Sequence, residues 1–195
     1  MVDNTTHREH DLPEGARRVF EGVLFDVYQW DQEMYDGSKR VFEKLVRRDS
    51  SVIVPILEDG RVLLIEDEQP ARGKHLTFPG GVLDEGEVPE AGARRELLEE
   101  TGYEPGVVES LFDVDPWSKI DWRIHYFLGR NCKKISEPLV QAGEKITLRP
   151  VSFEEFVELA STGQMDTEPA FGMMALRAKA DPEKMKELKK KFGVS

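Results

Sequence analysis

Residues 80 to 103 read GGVLDEGEVPEAGARRELLEETGY, and within them Glu96, Glu99 and Glu100 stand at i, i+3 and i+4. At about 100° per residue a helix places all three carboxylates within one arc roughly 100° wide. Like charges on one arc repel and weaken an isolated helix, so a chain that keeps them there needs something to offset them. A hard divalent cation does this, and carboxylate oxygens are the ligands that Mg²⁺ or Mn²⁺ prefers. Pro89 and Gly102 bracket the segment with residues that start and stop helices. Gly80 and Gly81 lie just ahead of it, where backbone without a Cβ approaches a metal or phosphate closely. A solvated acidic face would explain three glutamates alone. It does not explain the spacing of Gly81, Glu87 and Gly102.

Composition narrows the partners. The formal net charge is -11, from 27 basic and 38 acidic side chains, which argues against a long nucleic acid as ligand. A phosphorylated small molecule stays open, because a bound divalent cation inverts the local field. No apolar run approaches the ~18 residues that read as a membrane span, and the polar start MVDNTTHREHDLPEG carries no secretory signal. The single cysteine, Cys132, excludes an internal disulfide framework and suits a reducing cytoplasm. It reads as a small strand residue beside Lys133 and Lys134 rather than as a nucleophile.

The chain is long enough for one domain with a proper core. We expect a flexible tail over 1–16 and a single domain over 17–195. Within it, N-terminal strands occupy 17–48, a catalytic core 49–180 and a C-terminal helix 181–195. Residues 18–30 alternate as one strand through Val19, Val23, Phe25 and Val27, and Asp36-Gly37 turns the chain back through Val41 to Val46. Val52–Leu57 and Arg61–Ile65 read as two strands, with Pro55 demoting the first to an edge or a bulge. Residues 67–75 read as a loop, and His75–Phe78 as a short strand. On the acidic helix, Ala91 and Leu98 lie opposite the glutamates and are expected to pack on a sheet. Strands follow at 107–114, 122–130 and 145–150. The run SFEE from Ser152 has capping-box spacing, a helix spans 168–179, and Asp181-Pro182 opens a last helix with a packing stripe of Met185, Leu188 and Phe192.

Gly81, five residues, Glu87, seven residues, then Arg95-Glu96-Leu97-Leu98-Glu99-Glu100-Thr101-Gly102-Tyr103 resembles the Nudix hydrolase signature, G-x5-E-x7-R-E-U-x-E-E-x-G-U with U aliphatic. Tyr103 in the last aliphatic slot is the one departure. The resemblance implies an α/β fold, an α/β/α sandwich with a mixed sheet and an N-terminal β-hairpin. It also implies metal-dependent hydrolysis of a nucleoside diphosphate linked to another group. By the same resemblance Glu96 and Glu100 ligate Mg²⁺ or Mn²⁺, Glu99 joins them in or just behind the ligand shell, and the backbone at Gly81 contributes. Arg95 is implied to clamp Glu87 and fix the loop on the helix, a supporting role that stands beside direct chemistry.

The wider chain, about 18 to 180, is similar to the ADP-ribose and ADP-sugar pyrophosphatase branch. That likeness makes Glu144, in the loop before 145–150, the candidate general base, with a solvated loop glutamate as the alternative. Where the branch often has Gln-x-Arg-Pro, this chain has Asp67-Glu68-Gln69-Pro70; where it often has Glu-Leu-Pro-Ala-Gly, this chain has Thr77-Phe78-Pro79-Gly80-Gly81. The missing arginine puts ADP-ribose itself in doubt. Arg72 and Lys74 are candidate phosphate contacts or surface charges. Trp117, Trp122 and Arg123 either line a nucleoside or sugar pocket or belong to a strand, and His125 reads as a strand-face histidine. The implied substrate is ADP-ribose or another NDP-sugar, with dinucleoside polyphosphates or NADH as alternatives. A catalytically silent nucleotide sensor is the competing function. The branch also implies a homodimer formed through the N-terminal strands.

Overall fold

The computed structural model describes residues 10–139 and 145–194. Two sheets are formed. The smaller joins β1 (Arg17–Phe20), β2 (Asp26–Glu33), β3 (Lys39–Val46) and, parallel to β3, the short β10 (Ile120–Asp121), in the order β1-β2-β3-β10. The expected hairpin is present as β2–β3, in register from Asp26↔Val46 to Glu33↔Lys39. Gly37 at its turn has φ 78°, a conformation that glycine adopts without steric cost. The single strand expected over 18–30 is instead two. The chain breaks between Phe20 and Asp26, where Gly22 N–H donates to Asp26 Oδ1, and the polar interruption at Glu21-Gly22 ends the alternation.

The larger sheet runs β12 (Lys145–Val151), β5 (Val62–Gln69), β4 (Ser50–Leu57), β11 (Ile124–Lys134), β8 (Tyr103–Glu104). Three more strands attach to it: β6 (Gly73–Thr77) on β5, β7 (Gly80–Val82) on β4 and β9 (Val107–Val114) on β11. β4 and β11 are parallel and the other pairs antiparallel, so the sheet is mixed. Helices cover both faces: α1 (Pro89–Thr101) on one, and α2 (Phe153–Ser161), α3 (Pro169–Ala180) and α4 (Pro182–Phe192) on the other.

The period-2 alternation of strands explains the two cores. Ile53, Leu57 and Leu63 face α1 with Ala93, Leu97 and Phe127, while Val54, Ile56, Val62 and Leu64 face the other helices. On that second side Phe78, Phe156, Phe171 and Phe192 pack ring against ring. Leu188 and Phe192 are buried there, with Met185 packed beside them, as the stripe on α4 predicts.

Pro55 lies in a central strand, not at an edge, and the geometry shows why it is tolerated. Ile53 N–H donates to Pro79 O and Leu57 N–H to Arg61 O on the same side of β4. Pro55 falls between them, where β4 has left β7 and not yet met β5, so its missing N–H interrupts no bond. The loop expected over 67–75 is instead the two arms of the β5–β6 hairpin, paired from Ile65↔Thr77 to Gln69↔Gly73. Its polar composition reflects position near the cleft rather than lack of structure.

Candidate active site

Helix α1 begins with Pro89 at its first turn and ends on Gly102, whose φ of 76° is left-handed and whose N–H donates to Leu98 O. A Cβ at Gly102 would collide with Ser136 O. The packed stripe of the helix is Ala93, Leu97 and Thr101, all with no solvent exposure. Ala91 is exposed and Leu98 only half-buried, which corrects the expectation that they meet the sheet. The reason is positional: the glutamate arc does not point away from the sheet but along its margin, toward β7. The residues one step round the helix from Glu96 and Glu100 therefore meet the sheet.

That placement brings the acids to the glycines. Gly80 N–H donates to Glu100 Oε2 at 3.0 Å. A Cβ on Gly81 would lie 2.6 Å from Glu96 Cδ, and one on Gly80 would lie 2.8 Å from Val52 Cα, so neither position accepts a side chain without a shift. Together they border a cleft of ≈ 450 Å³ lined by Glu96, Glu99, Glu100, Arg95, Gly80, Gly81 and Val82, with Arg48, Asp84, Asp67, Gln69, Leu139 and Ile146 around them.

Arg95 holds the loop. Its Nε and Nη2 donate to the two oxygens of Glu87 at 2.9 and 2.8 Å, Nη2 also reaches Val82 O, and Nη1 donates to Glu96 and, at 3.3 Å, to Glu99. This fork geometry is the planar, bidentate recognition at which arginine excels. Its hydrogen bonds, first to Glu87 and then to Glu96, raise the guanidinium above its ordinary range, and the same contact holds the Glu87 carboxyl below its own. Burial pushes the Glu96 carboxyl up, with Glu99 and Glu87 adding like-charge repulsion that Arg95 only partly offsets.

Among the described residues no three His, Cys, Asp or Glu side chains are already drawn around one metal-sized point, because Arg95 engages Glu96 and Glu99 directly. The donor set nonetheless fits a divalent cation. All the donors are hard oxygens, burial disfavours the charged form of Glu96, and the face opposite Glu96 is kept clear by glycine.

The NUDIX domain model matches residues 46–170. The chain belongs to the Nudix family. Nudix hydrolases in general use divalent metal ions. Among curated proteins this Nudix chain is 25% identical over 167 residues to an ADP-ribose pyrophosphatase of Bacillus subtilis (strain 168), spanning 83% of this chain and 90% of that one. It is 41% identical over 106 residues to an ADP-sugar pyrophosphatase of Mus musculus, 52% of this chain and 49% of that one. The fold is that of a solved ADP compounds hydrolase, with a TM-score of 0.71 at 22% identity over 93% of this chain and 95% of the other.

The four substrate contacts expected from sequence do not line the Nudix cleft. Arg72, in the β5–β6 turn, pairs with Asp166, and Lys74 lies 3.7 Å from Glu66. Arg123 forks onto Asp115 at 2.9 and 2.8 Å. Trp117 is 61% exposed and packs on Trp122, whose indole N–H donates to Ser50 Oγ. His125 is on a strand face, as expected, between Asp113 and Asp49. Glu144 lies outside the described residues. Sequence reasoning passed over Arg48 and Asp84, and it noted Asp67 and Gln69 only as departures from the branch pattern, not as cleft residues. The last two carried a signal: as alternate residues of one strand they share a face.

Proposed function

We propose that this chain is a metal-dependent Nudix pyrophosphohydrolase that cleaves the diphosphate of an NDP-sugar, ADP-ribose or a relative of it, to a nucleoside monophosphate and a sugar phosphate. The observation that carries this reading is the meeting of Glu96, Glu99 and Glu100 with Gly80 and Gly81 in one cleft. The substrate class rests on the pyrophosphatases that the chain resembles along most of its length. Glu96 and Glu100 would hold Mg²⁺ or Mn²⁺, with Glu99 and the Gly81 backbone beside them. When bound, such ions neutralise phosphate charge and make hydroxide available near neutral pH.

The other residues have separable tasks. Glu99 keeps its carboxylate beside Arg95 Nη1, and Arg95 with Glu87 fixes the loop that carries Asp84. Glu144 remains our candidate for accepting a proton from the attacking water. A Glu144→Gln variant is expected to lose ~10²–10⁴-fold in turnover, and near-full turnover would remove the assignment. The exposed Val19, Phe20 and Val41 of the smaller sheet support a homodimer through that sheet; a monomeric mass by light scattering at micromolar concentration would exclude a stable one.

The experiment for the whole reading is product release with Mg²⁺ and with Mn²⁺ across ADP-ribose, ADP-glucose, GDP-mannose, UDP-glucose, diadenosine polyphosphates and NADH. A Glu100→Gln variant runs beside it. Cleavage of an NDP-sugar that disappears in the variant is the expected result. Absence of cleavage throughout, with protein folded and metal bound, would overturn it in favour of a sensor.

A further inference from the structure

Five carboxylates line the cleft against two arginines, and the two arginines are not equivalent. All three guanidinium nitrogens of Arg95 already donate to Glu87, Glu96, Glu99 or Val82 O. Arg95 has nothing left to offer a ligand. Arg48 has one ion-pair contact among the described residues, to Asp84 Oδ1 at 4.0 Å, and both side chains are mostly exposed. A separation of 4.0 Å exceeds hydrogen-bond range, so among the described residues its donors remain available.

The backbone fixes where Arg48 stands. Going along β7, Gly80 meets Glu100, a Cβ on Gly81 would meet Glu96 and Val82 O meets Arg95; in the loop beyond, Asp84 lies 4.0 Å from Arg48 and 3.8 Å from Arg95. Leu83 N–H donates to Asp49 O, which pins the β3–β4 junction beside the β7–α1 loop. Arg47 turns to Trp122, with its guanidinium 4.2 Å from the ring centroid, and Arg48 turns to the cleft. The glutamate arc is therefore flanked at one end by an available guanidinium.

We propose that Arg48 binds the non-bridging phosphate oxygens of the nucleoside diphosphate, and that Asp84 competes with the phosphate for it. The proposal rests on the pyrophosphohydrolase reading for its ligand class. Arginine is suited to the task because its planar fork matches phosphate oxygens bidentately and keeps its charge at any working pH. In a cleft this acidic, one cation at the rim also sets the end at which the anionic part of the ligand enters.

The test uses ADP as the probe, titrated calorimetrically in the presence of Mg²⁺ into the wild type, Arg48→Ala, Arg48→Lys, Asp84→Asn and the double variant. Loss of the fork in Arg48→Ala is expected to raise Kd by ~10-fold, and Arg48→Lys by about threefold, since a point charge keeps attraction without bidentate geometry. Asp84→Asn is expected to lower Kd by about threefold, for release of a competing carboxylate. The double variant should match Arg48→Ala. Tightening by Asp84→Asn that persists without Arg48 would mean general charge relief and would overturn the competition. Unchanged binding by Arg48→Ala, or no binding of ADP by the wild type, would overturn the assignment itself. Arg48-dependent ADP binding by a protein that hydrolyses no NDP-sugar would sink the hydrolase reading and leave this one standing.

Discussion

Arg95 hydrogen-bonds one strand carbonyl and three carboxylates, so its replacement tests how much of the site is held by geometry rather than charge. Arg95→Lys retains the charge but cannot reproduce the paired bonds to Glu87 or the contact to Val82 O. A loss of about 1–3 kcal/mol in unfolding free energy is expected, together with weaker metal binding. Unchanged folding and unchanged metal affinity would remove the clamp. The sign of the pH effect follows from Glu87, whose folded pKa lies below its ordinary value because of Arg95. The stability it contributes is therefore present above the ordinary glutamate range and lost as pH falls through the depressed folded value. In Arg95→Lys that acid limb of the stability profile should shrink. Gly81→Ala tests the other half of the site: its Cβ would meet the Glu96 carboxylate. Turnover is expected to fall by about 10²-fold through displacement of that group, while the melting temperature moves little. Wild-type turnover in Gly81→Ala would mean that Glu96 moves aside without consequence.

At the scale of elements, α1 has two jobs that pull in different directions. Its Ala93–Leu97–Thr101 stripe packs on the sheet while its acidic arc must meet β7, and a helix can do both only if the two stripes are neighbours. The helix has no side-chain cap at Val88, so packing supplies its stability in place of local signals. Helix α2 is the contrast. Ser152 Oγ accepts from Glu155 N–H at 3.1 Å, and Ser152→Ala is expected to cost about 1 kcal/mol. Denaturant midpoints of that variant check the figure, and a loss below a few tenths would assign the end of α2 to its buried phenylalanines instead.

At the scale of the molecule, His125 ties three segments together. It lies on β11, its Nδ1 is 3.0 Å from Asp113 on β9, and its Nε2 is 3.8 Å from Asp49 at the β3–β4 junction. Burial lowers its pKa, but the nearby Asp49 carboxylate and the hydrogen bond and charge of Asp113 together outweigh burial and leave it raised. Stability from this group is thus fully present below the ordinary histidine value and lost as pH rises through the folded one. Thermal unfolding of the wild type should weaken across that window, and His125→Gln should flatten the change. An unaltered pH profile in the variant would show that the three segments are held without it.

Much of this fold was legible because it is written in local periodicity. The apolar run within Arg61–Ile65 marked a strand, the SFEE run marked the start of α2, and Asp36-Gly37 marked a hairpin. The glutamate spacing fixed that the acids share a face of α1, since 3.6 residues per turn leaves no other arrangement. Local pattern could not show what that face meets. Whether Gly80 and Gly81 reach Glu100 and Glu96, which arginine of the Arg47–Arg48 pair enters the cleft, and why Pro55 breaks no bond all depend on strands distant in sequence. Asp67 and Gln69 looked like loop residues for the same reason: their polarity answers to the cleft, not to their own strand. The sequence by itself determined the acidic helix, the β2–β3 hairpin and the chemistry of the helix face, because these follow from neighbours within a few residues. Only the tertiary structure decided the cleft, because its walls come from β3–β4, β5, β7 and α1, brought together by a sheet whose pairings no short window contains.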